Sequence, residues 1–360
     1  MEDIKMKPKE RFICAIKGGI PDIIPLFDYL FSRKLYKEVL GLDVEGYNNL
    51  AALKLAEALG HDGVFTMAGL PENYKLNFIS DCEYIDEWGT TYKINKSSWP
   101  FSAPINYSIR DKNDLRNFNL PNPNDESRYY SIIETMENNK KSIAIIGAVG
   151  GPFTQTAVII GLERLSIMAI DNIKFIKELF LITTELALNQ INMLKKAGVD
   201  VINISDDLGY DSSTFFSPQW YEEYLFPCYK QLVDEVKQNN LPVFLHSDGN
   251  LNSIIECFID LGFDGLNPIE RKANMSIKNI RKKYGNKLCL IGNVDSSKTL
   301  VFGKKEDVEI ETLECIRDGG MEGAYILASD HSFHDDIPKE NILKIIEIRN
   351  KFGKYPIKVK

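Results

Sequence analysis

Past Arg11 the chain repeats one unit: a short β-branched or apolar run, a polar or Gly-rich break, then a segment with helical spacing. No other feature restricts the fold as strongly, because strands separated by helices pair in parallel. The runs fall at 23–27, 63–67, 142–148, 199–205, 242–246, 263–268, 288–292 and 323–328. Helical stretches are expected at 50–59, 171–197, 220–238, 251–261, 277–284, 305–318 and 339–351. Eight strands alternating with helices predict an α/β fold, a closed (β/α)8 TIM barrel, since open doubly wound sheets commonly have about five or six strands. A chain of 360 residues, 44% of them hydrophobic, can bury one large core. Residues 1–360 are therefore read as a single domain.

The stretch at about 68–140 interrupts the rhythm between the second and third predicted strands. Residues 82–92 alternate like a hairpin with Gly89 at its turn, and Leu120-Pro121-Asn122-Pro123-Asn124 follows as a loop. This is read as an inserted β-hairpin. Long loops after barrel strands face the active site, so it is either a wall or lid of that site, or a decoration or homodimer contact.

Charge and cysteine usage exclude some functions. The net charge is −8 and no Lys/Arg block is present, which argues against nucleic acid as a partner. The six cysteines are scattered, without a C-x-x-C pair, and read as reduced structural thiols. The charged amino terminus is no signal peptide and no run reaches the length of a membrane span, so a cytoplasmic protein without membrane contact is expected.

In a barrel of this kind the residues just past each strand converge on one mouth. Here those tips read Asp28-Tyr29, Asp206-Asp207-Leu208-Gly209-Tyr210, His246-Ser247-Asp248-Gly249-Asn250, Asn267-Pro268-Ile269-Glu270, Gly292-Asn293-Val294-Asp295 and Ser329-Asp330-His331. His246 and Asp248, two residues apart at a strand end, can point to the same side. With Glu270 or His331 they make a nitrogen and oxygen set suited to a divalent metal such as zinc; equally, they can bind substrate or each other. Adjacent carboxylates at Asp206 and Asp207 suit proton transfer or a polar substrate, although Asp207 can equally cap the next helix. Asp335 and Asp336 precede Pro338 and read as caps, and His334 as a histidine outside the ligand set. The Gly147–Phe153 turn lacks the order of a phosphate loop and is read as a close backbone approach to a ligand.

Several of these segments resemble the uroporphyrinogen decarboxylase family. Arg11-Phe12 with 19–25 is similar to its opening "R…A…G…PD…P", and Gly151-Pro152-Phe153-Thr154 to its "GPFT" turn. Ala197-Gly198-Val199-Asp200 with Asp206, Ser217-Pro218, and His246-Ser247-Asp248-Gly249 resemble its "AGAD…D", "SP" and "H-x-x-G" motifs. The resemblance covers nearly the whole chain and implies the (β/α)8 fold. True decarboxylases carry an Arg-rich segment after the first strand to grip porphyrinogen carboxylates, where this chain has Asp28-Tyr29-Leu30-Phe31-Ser32-Arg33-Lys34.

The chain looks more like the family's zinc-dependent methyltransferases. In their thiol-activating members a His-x-Cys pair and a distant Cys hold the metal; here His246 matches the histidine, while Asp248 and His331 stand at the cysteine positions. The resemblance thus implies a methyltransferase that takes a methyl group from a small methoxylated or methylamine-type donor. It implies zinc on His246, Asp248, Glu270 and His331, with Asp206, Asp248 and His246 catalytic. Asp28, Tyr29, Asp207, Tyr210 and Asn293 would contact substrate. No D-x-H-x-x-G corrinoid signature is present, so the corrinoid acceptor would ride on a separate carrier protein. Two other readings stay open: decarboxylation of a porphyrinogen, and a non-catalytic module binding a ligand or corrinoid protein.

Overall fold

Alternation along the strands sends successive side chains to different cores. Phe65, Ile146, Val201, Phe244, Ile291 and Ile326 meet in an inner cluster, whereas their neighbours Val64, Ile145, Ile202, Leu245, Leu290 and Leu327 join the larger outer one with the helices. The structure, a computed structural model, describes residues 5–95 and 99–359. Its main sheet is parallel and curled, with seven strands in chain order: Gly63–Thr66, Ala144–Gly150, Val201–Ser205, Val243–His246, Gly265–Asn267, Cys289–Val294 and Tyr325–Ser329. The helix Pro8–Ile16 sends Phe12, Ala15 and Ile16 into the inner cluster at the end remote from the strand tips. Gly63 makes room for it, since a Cβ there would lie 2.7 Å from the Phe12 ring.

The first expected strand does not form as a regular one. Pro21 and Pro25 have no N–H to give to a ladder, and the segment is held by isolated contacts. Leu26 bridges Leu327 in parallel, Phe27 N–H donates to Leu327 (3.1 Å), and on the other side Asp62 N–H donates to Leu26 (2.7 Å). The sheet itself is thus a half-barrel of seven strands, with 25–27 bonded near both of its edges. Farther on, Leu30–Phe31 pairs with Phe333–His334.

Buried charge ties this seam. Asp62 accepts from Arg11 Nη1 (2.5 Å), Arg349 Nη2 (2.6 Å) and Leu26 N–H (2.8 Å), joining the first helix, the seam and the last helix, Lys339–Phe352.

The region after Thr66 contains a four-stranded antiparallel sheet, Asn77–Ser80, Glu83–Ile85, Thr91–Lys93 and Ala103–Asn106, larger than the one hairpin expected, and within it Glu83–Ile85 pairs with Thr91–Lys93 across Gly89. The long helix Ile173–Ala197 is capped by Asn172 and ends on left-handed Gly198. The helical stretch expected at 220–238 is two helices, Pro218–Tyr224 and Phe226–Gln238, because Pro227 has no N–H to continue the first. Among the described residues no single helix is long and apolar enough to cross a membrane.

Candidate active site

Register brings the first pair of site residues together. His246 ends its strand opposite Asn267 on the next, so both side chains leave the sheet on the same face. His246 Nδ1 lies 2.6 Å from Asn267 Oδ1. The amide is oriented by its own Nδ2, which donates to the Ile291 carbonyl at 3.3 Å. An oxygen can only accept, so Nδ1 carries a proton, and in the neutral ring Nε2 keeps its lone pair.

That lone pair faces carboxylates. His246 Nε2 lies 4.0 Å from Asp207 Oδ1 and 3.9 Å from Asp248 Oδ1, and His331 Nε2 lies 3.5 Å from Asp248 Oδ2. Asp207, His246 and Asp248 each offer a ligand atom within 4.8 Å of the others, the one such group among the described residues. Asp248 Oδ1 is buried with no hydrogen-bond partner. Burial raises the Asp248 pKa, the His246 and His331 charges oppose that rise, and Asp207 and Glu270 add to it.

Two loops are locked so that these groups stay in place. Asp248 N–H donates to Asp207 Oδ1 (3.1 Å), and Asp207 N–H to Thr154 Oγ1 (2.9 Å). Gly249, at φ +91°, passes against Gly209; a Cβ there would sit 2.3 Å from the Gly209 carbonyl carbon. Glu270 fastens the same turn, accepting from Gly249 N–H (2.8 Å) through one oxygen and pairing with Lys272 Nζ (2.9 Å) through the other.

The group lines a cavity of about 720 Å³, within the usual range for small-molecule sites. Tyr29, Phe31, Phe65, Trp99 and Phe101 form its aromatic side, and Trp99 and Phe101 come from the inserted region. Tyr29, buried, meets the His246 ring edge-on at 5.1 Å and donates to Asn203 Oδ1 at 3.1 Å. Lys272 is the only Lys or Arg lining the cavity among the described residues.

Other expected site residues lie elsewhere. Asp206 is fully buried against the helix Pro152–Ile160, accepting from Phe153 N–H (3.1 Å), Thr154 N–H (2.5 Å) and Tyr229 Oη (2.8 Å). Burial lifts its pKa to about 6 despite those bonds. It thus accepts from the start of an earlier helix, whereas Asp207, for which capping of the next helix was one of two readings, stands in the cavity. The glycine turn also serves Asp206: a Cβ on Gly151 would fall 2.3 Å from that carboxylate, so the close approach is to a side chain and not to a ligand.

Asp28 is buried behind the mouth, accepting from Ser329 N–H (2.7 Å) and Ser329 Oγ (3.0 Å). Asn293 donates to the Ile269 carbonyl (2.9 Å) and faces a different depression, and Tyr210 is an exposed ring beside Phe215. Glu270 does line the cavity, but both of its oxygens are taken by Gly249 and Lys272.

Asn267 was visible in its strand tip, but nothing local marked it as the partner of His246. Phe31, Phe65, Trp99 and Phe101 carried no motif, only aromaticity.

Comparison with known proteins places the chain in a family. The family model described as uroporphyrinogen decarboxylase (URO-D) matches residues 86–352. The methylcobamide:CoM methyltransferase MtaA of Methanosarcina barkeri is 27% identical over 210 residues, 58% of this chain and 59% of that protein. The chain thus spans about three fifths of that relative's length. A uroporphyrinogen decarboxylase of Trichodesmium erythraeum is 27% identical over 270 residues, covering 71% of each. A solved methyltransferase from Methanosarcina mazei shares the fold, with a TM-score of 0.74 at 24% identity over 96% of this chain and 99% of that one. With the family model spanning well over half its length, the chain belongs to the uroporphyrinogen decarboxylase family and within it is similar to the methyltransferases.

Proposed function

We propose that this chain is a metal-dependent methyltransferase, one domain with 25–27 as the eighth stave of a closed barrel. It takes a methyl group from a small methoxylated or methylamine-type compound and passes it to a corrinoid on a separate carrier protein. The observation that carries this reading is the free Nε2 of His246 facing two carboxylates, one with an unpartnered buried oxygen. Donors around one tetrahedral zinc, each about 2.0–2.2 Å from it, stand roughly 3.3–3.6 Å apart. The separations of His246 Nε2 from Asp248 Oδ1 and Asp207 Oδ1, 3.9 and 4.0 Å, are close to that, and the mixed nitrogen and oxygen set suits zinc.

Asp207, His246 and Asp248 would hold the ion, with Asn267 orienting His246, while His331, 3.5 Å from the second Asp248 oxygen, would have to turn inward to add a fourth donor. Bound there, zinc would supply Lewis acidity to the atom that loses its methyl group. The chain's own residues do the rest: Glu270 and Lys272 pin the Asp248 turn, and the aromatic side excludes water from the donor. In the transfer the C–O or C–N bond breaks, its electron pair stays on oxygen or nitrogen, and the methyl group goes to the reduced corrinoid nucleophile. The decarboxylase reading is less well supported, because a porphyrinogen's carboxylates would meet acidic walls and one lysine already paired with Glu270.

The test is elemental analysis of the untagged protein with methyl transfer to cob(I)alamin followed by absorbance. About one zinc per chain, lost in His246→Ala, together with donor-dependent methylation, is expected. A folded protein that takes up no zinc even on loading overturns the reading.

A further inference from the structure

A second cavity, of about 1020 Å³, lies at the end of the sheet opposite His246. Asp62 and Ile143, which line it, immediately precede the strands Gly63–Thr66 and Ala144–Gly150. The carboxyl-terminal segment closes one wall: Lys354 bridges Ile23, and Tyr355 N–H donates to the Asp22 carbonyl at 3.1 Å. Four of the lining charges cancel, because Arg11 and Arg349 are paired with Asp22 and Asp62.

Two observations point to a ligand. Nine buried side-chain nitrogens and oxygens lack a hydrogen-bond partner among the described residues, and four of them belong to residues lining this cavity: both ring nitrogens of His61, Glu57 Oε1 and Tyr355 Oη. Buried polar atoms are costly to leave unbonded, and here they cluster. His61 is 1% exposed, with its ring held edge-on to Phe333 at 6.1 Å. Burial, helped by the Arg349 charge, holds its pKa down at about 3, so the ring is neutral and offers one N–H and one lone pair. The second observation is charge. Lys5, Lys141 and Lys354 line the cavity without an ion pair among the described residues, and against Glu57 they leave two positive charges in excess.

We propose that this cavity binds a nucleoside phosphate. The lysines meet the phosphate as point charges. The flat base lies against the apolar surface of Ile23, Ile143 and the Tyr355 ring. Its edge carries both donors and acceptors, which is what the neutral His61, the Glu57 oxygen and the Tyr355 hydroxyl call for. Free phosphate would serve the lysines but set one more acceptor against Glu57 Oε1, and an uncharged nucleoside would leave the lysines unused. The ligand is no reactant at the mouth, because the strands separate it from His246. It touches the first helix, the end of the helix Asn49–Leu59 and the last helix at once, and so braces the seam that Asp62 ties.

Calorimetric titration of the full chain with AMP, GMP, CMP and UMP tests this, beside the matching nucleosides and inorganic phosphate. At least one nucleotide should bind at about one per chain, and about tenfold or more tighter than its nucleoside or phosphate alone. Lys141→Glu with Lys354→Glu reverses two exposed charges and should weaken that binding about tenfold or more. His61→Phe keeps a ring of similar size and should weaken it about two- to tenfold. Asp207→Ala, at the mouth, should leave it unchanged. The lysine variant alters exposed side chains only, so it decides the matter even where His61→Phe fails to fold. No binding of any of the four nucleotides overturns the proposal, as does phosphate or a nucleoside binding equally well. Full binding by the lysine variant or by folded His61→Phe overturns it too, and loss in Asp207→Ala would put the nucleotide at the mouth instead.

Discussion

His246 gives its Nδ1 proton to Asn267 at 2.6 Å, and this one bond decides which nitrogen faces the cavity. A histidine whose far nitrogen is tied to an acceptor presents the near one as a fixed lone pair.

Removing that acceptor tests the relationship. Asn267→Leu is expected to fold and to weaken zinc binding about 10–100-fold, the usual effect of losing an orienting partner. Competition with a chromogenic chelator reads the affinity; an unchanged value would show that the orientation of His246 does not depend on Asn267.

Glu270→Gln separates the ligand set read from sequence from the one assembled in space. Both Glu270 oxygens are engaged, with Gly249 and Lys272. Zinc content should therefore stay near that of the parent, whereas Asp207→Ala should lose it. The opposite pattern, measured by elemental analysis, would restore Glu270 to the ligands.

Asp206→Ala is expected to act on stability. It leaves two helix-start N–H groups and the Tyr229 hydroxyl without their buried acceptor, at a cost of roughly 2–4 kcal/mol. Urea unfolding should show the loss, while zinc binding by the folded fraction persists.

Asp28 supplies a pH dependence. Burial raises its pKa from 3.8 to about 8 in the fold. Between these values the unfolded chain has released the proton and the folded chain keeps it, so the stability that Asp28 contributes is full below about 4 and falls as pH climbs toward 8. Asp206 and Asp330, each lifted to about 6, act the same way at lower pH. Asp28 therefore dominates this set from pH 6 to 8. Asp28→Asn keeps one oxygen for Ser329 N–H, and the Ser329 hydroxyl can turn to accept from the amide. The variant should flatten the fall of stability over pH 6–8, by up to about 1.4 kcal/mol per pH unit for one proton. Parallel curves for parent and variant would show that Asp28 ionises normally.

Much of the scaffold was legible because strand and helix are local patterns. The runs around Ile145, Ile202, Leu245 and Leu290 all became sheet strands. The helix expected at 277–284 formed as Ile277–Tyr284. The first run failed because prolines interrupt its ladder, and the helix pair around Pro227 merged into one expectation because both halves share an apolar spacing.

The sequence by itself determined that His246, Asp248, Asp207 and His331 stand at strand tips, since tip position follows from where apolar alternation stops. Only the tertiary structure decided between neighbours: Asp206 turned to a helix start and Asp207 to the cavity, because successive residues past a strand face opposite ways and burial rewards whichever carboxylate finds N–H donors. The Asn267 bond and the ring row from His246 to Phe101 join residues far apart in the chain. Neither has a local signature, because each exists only where register and loop packing bring distant side chains within a few ångströms.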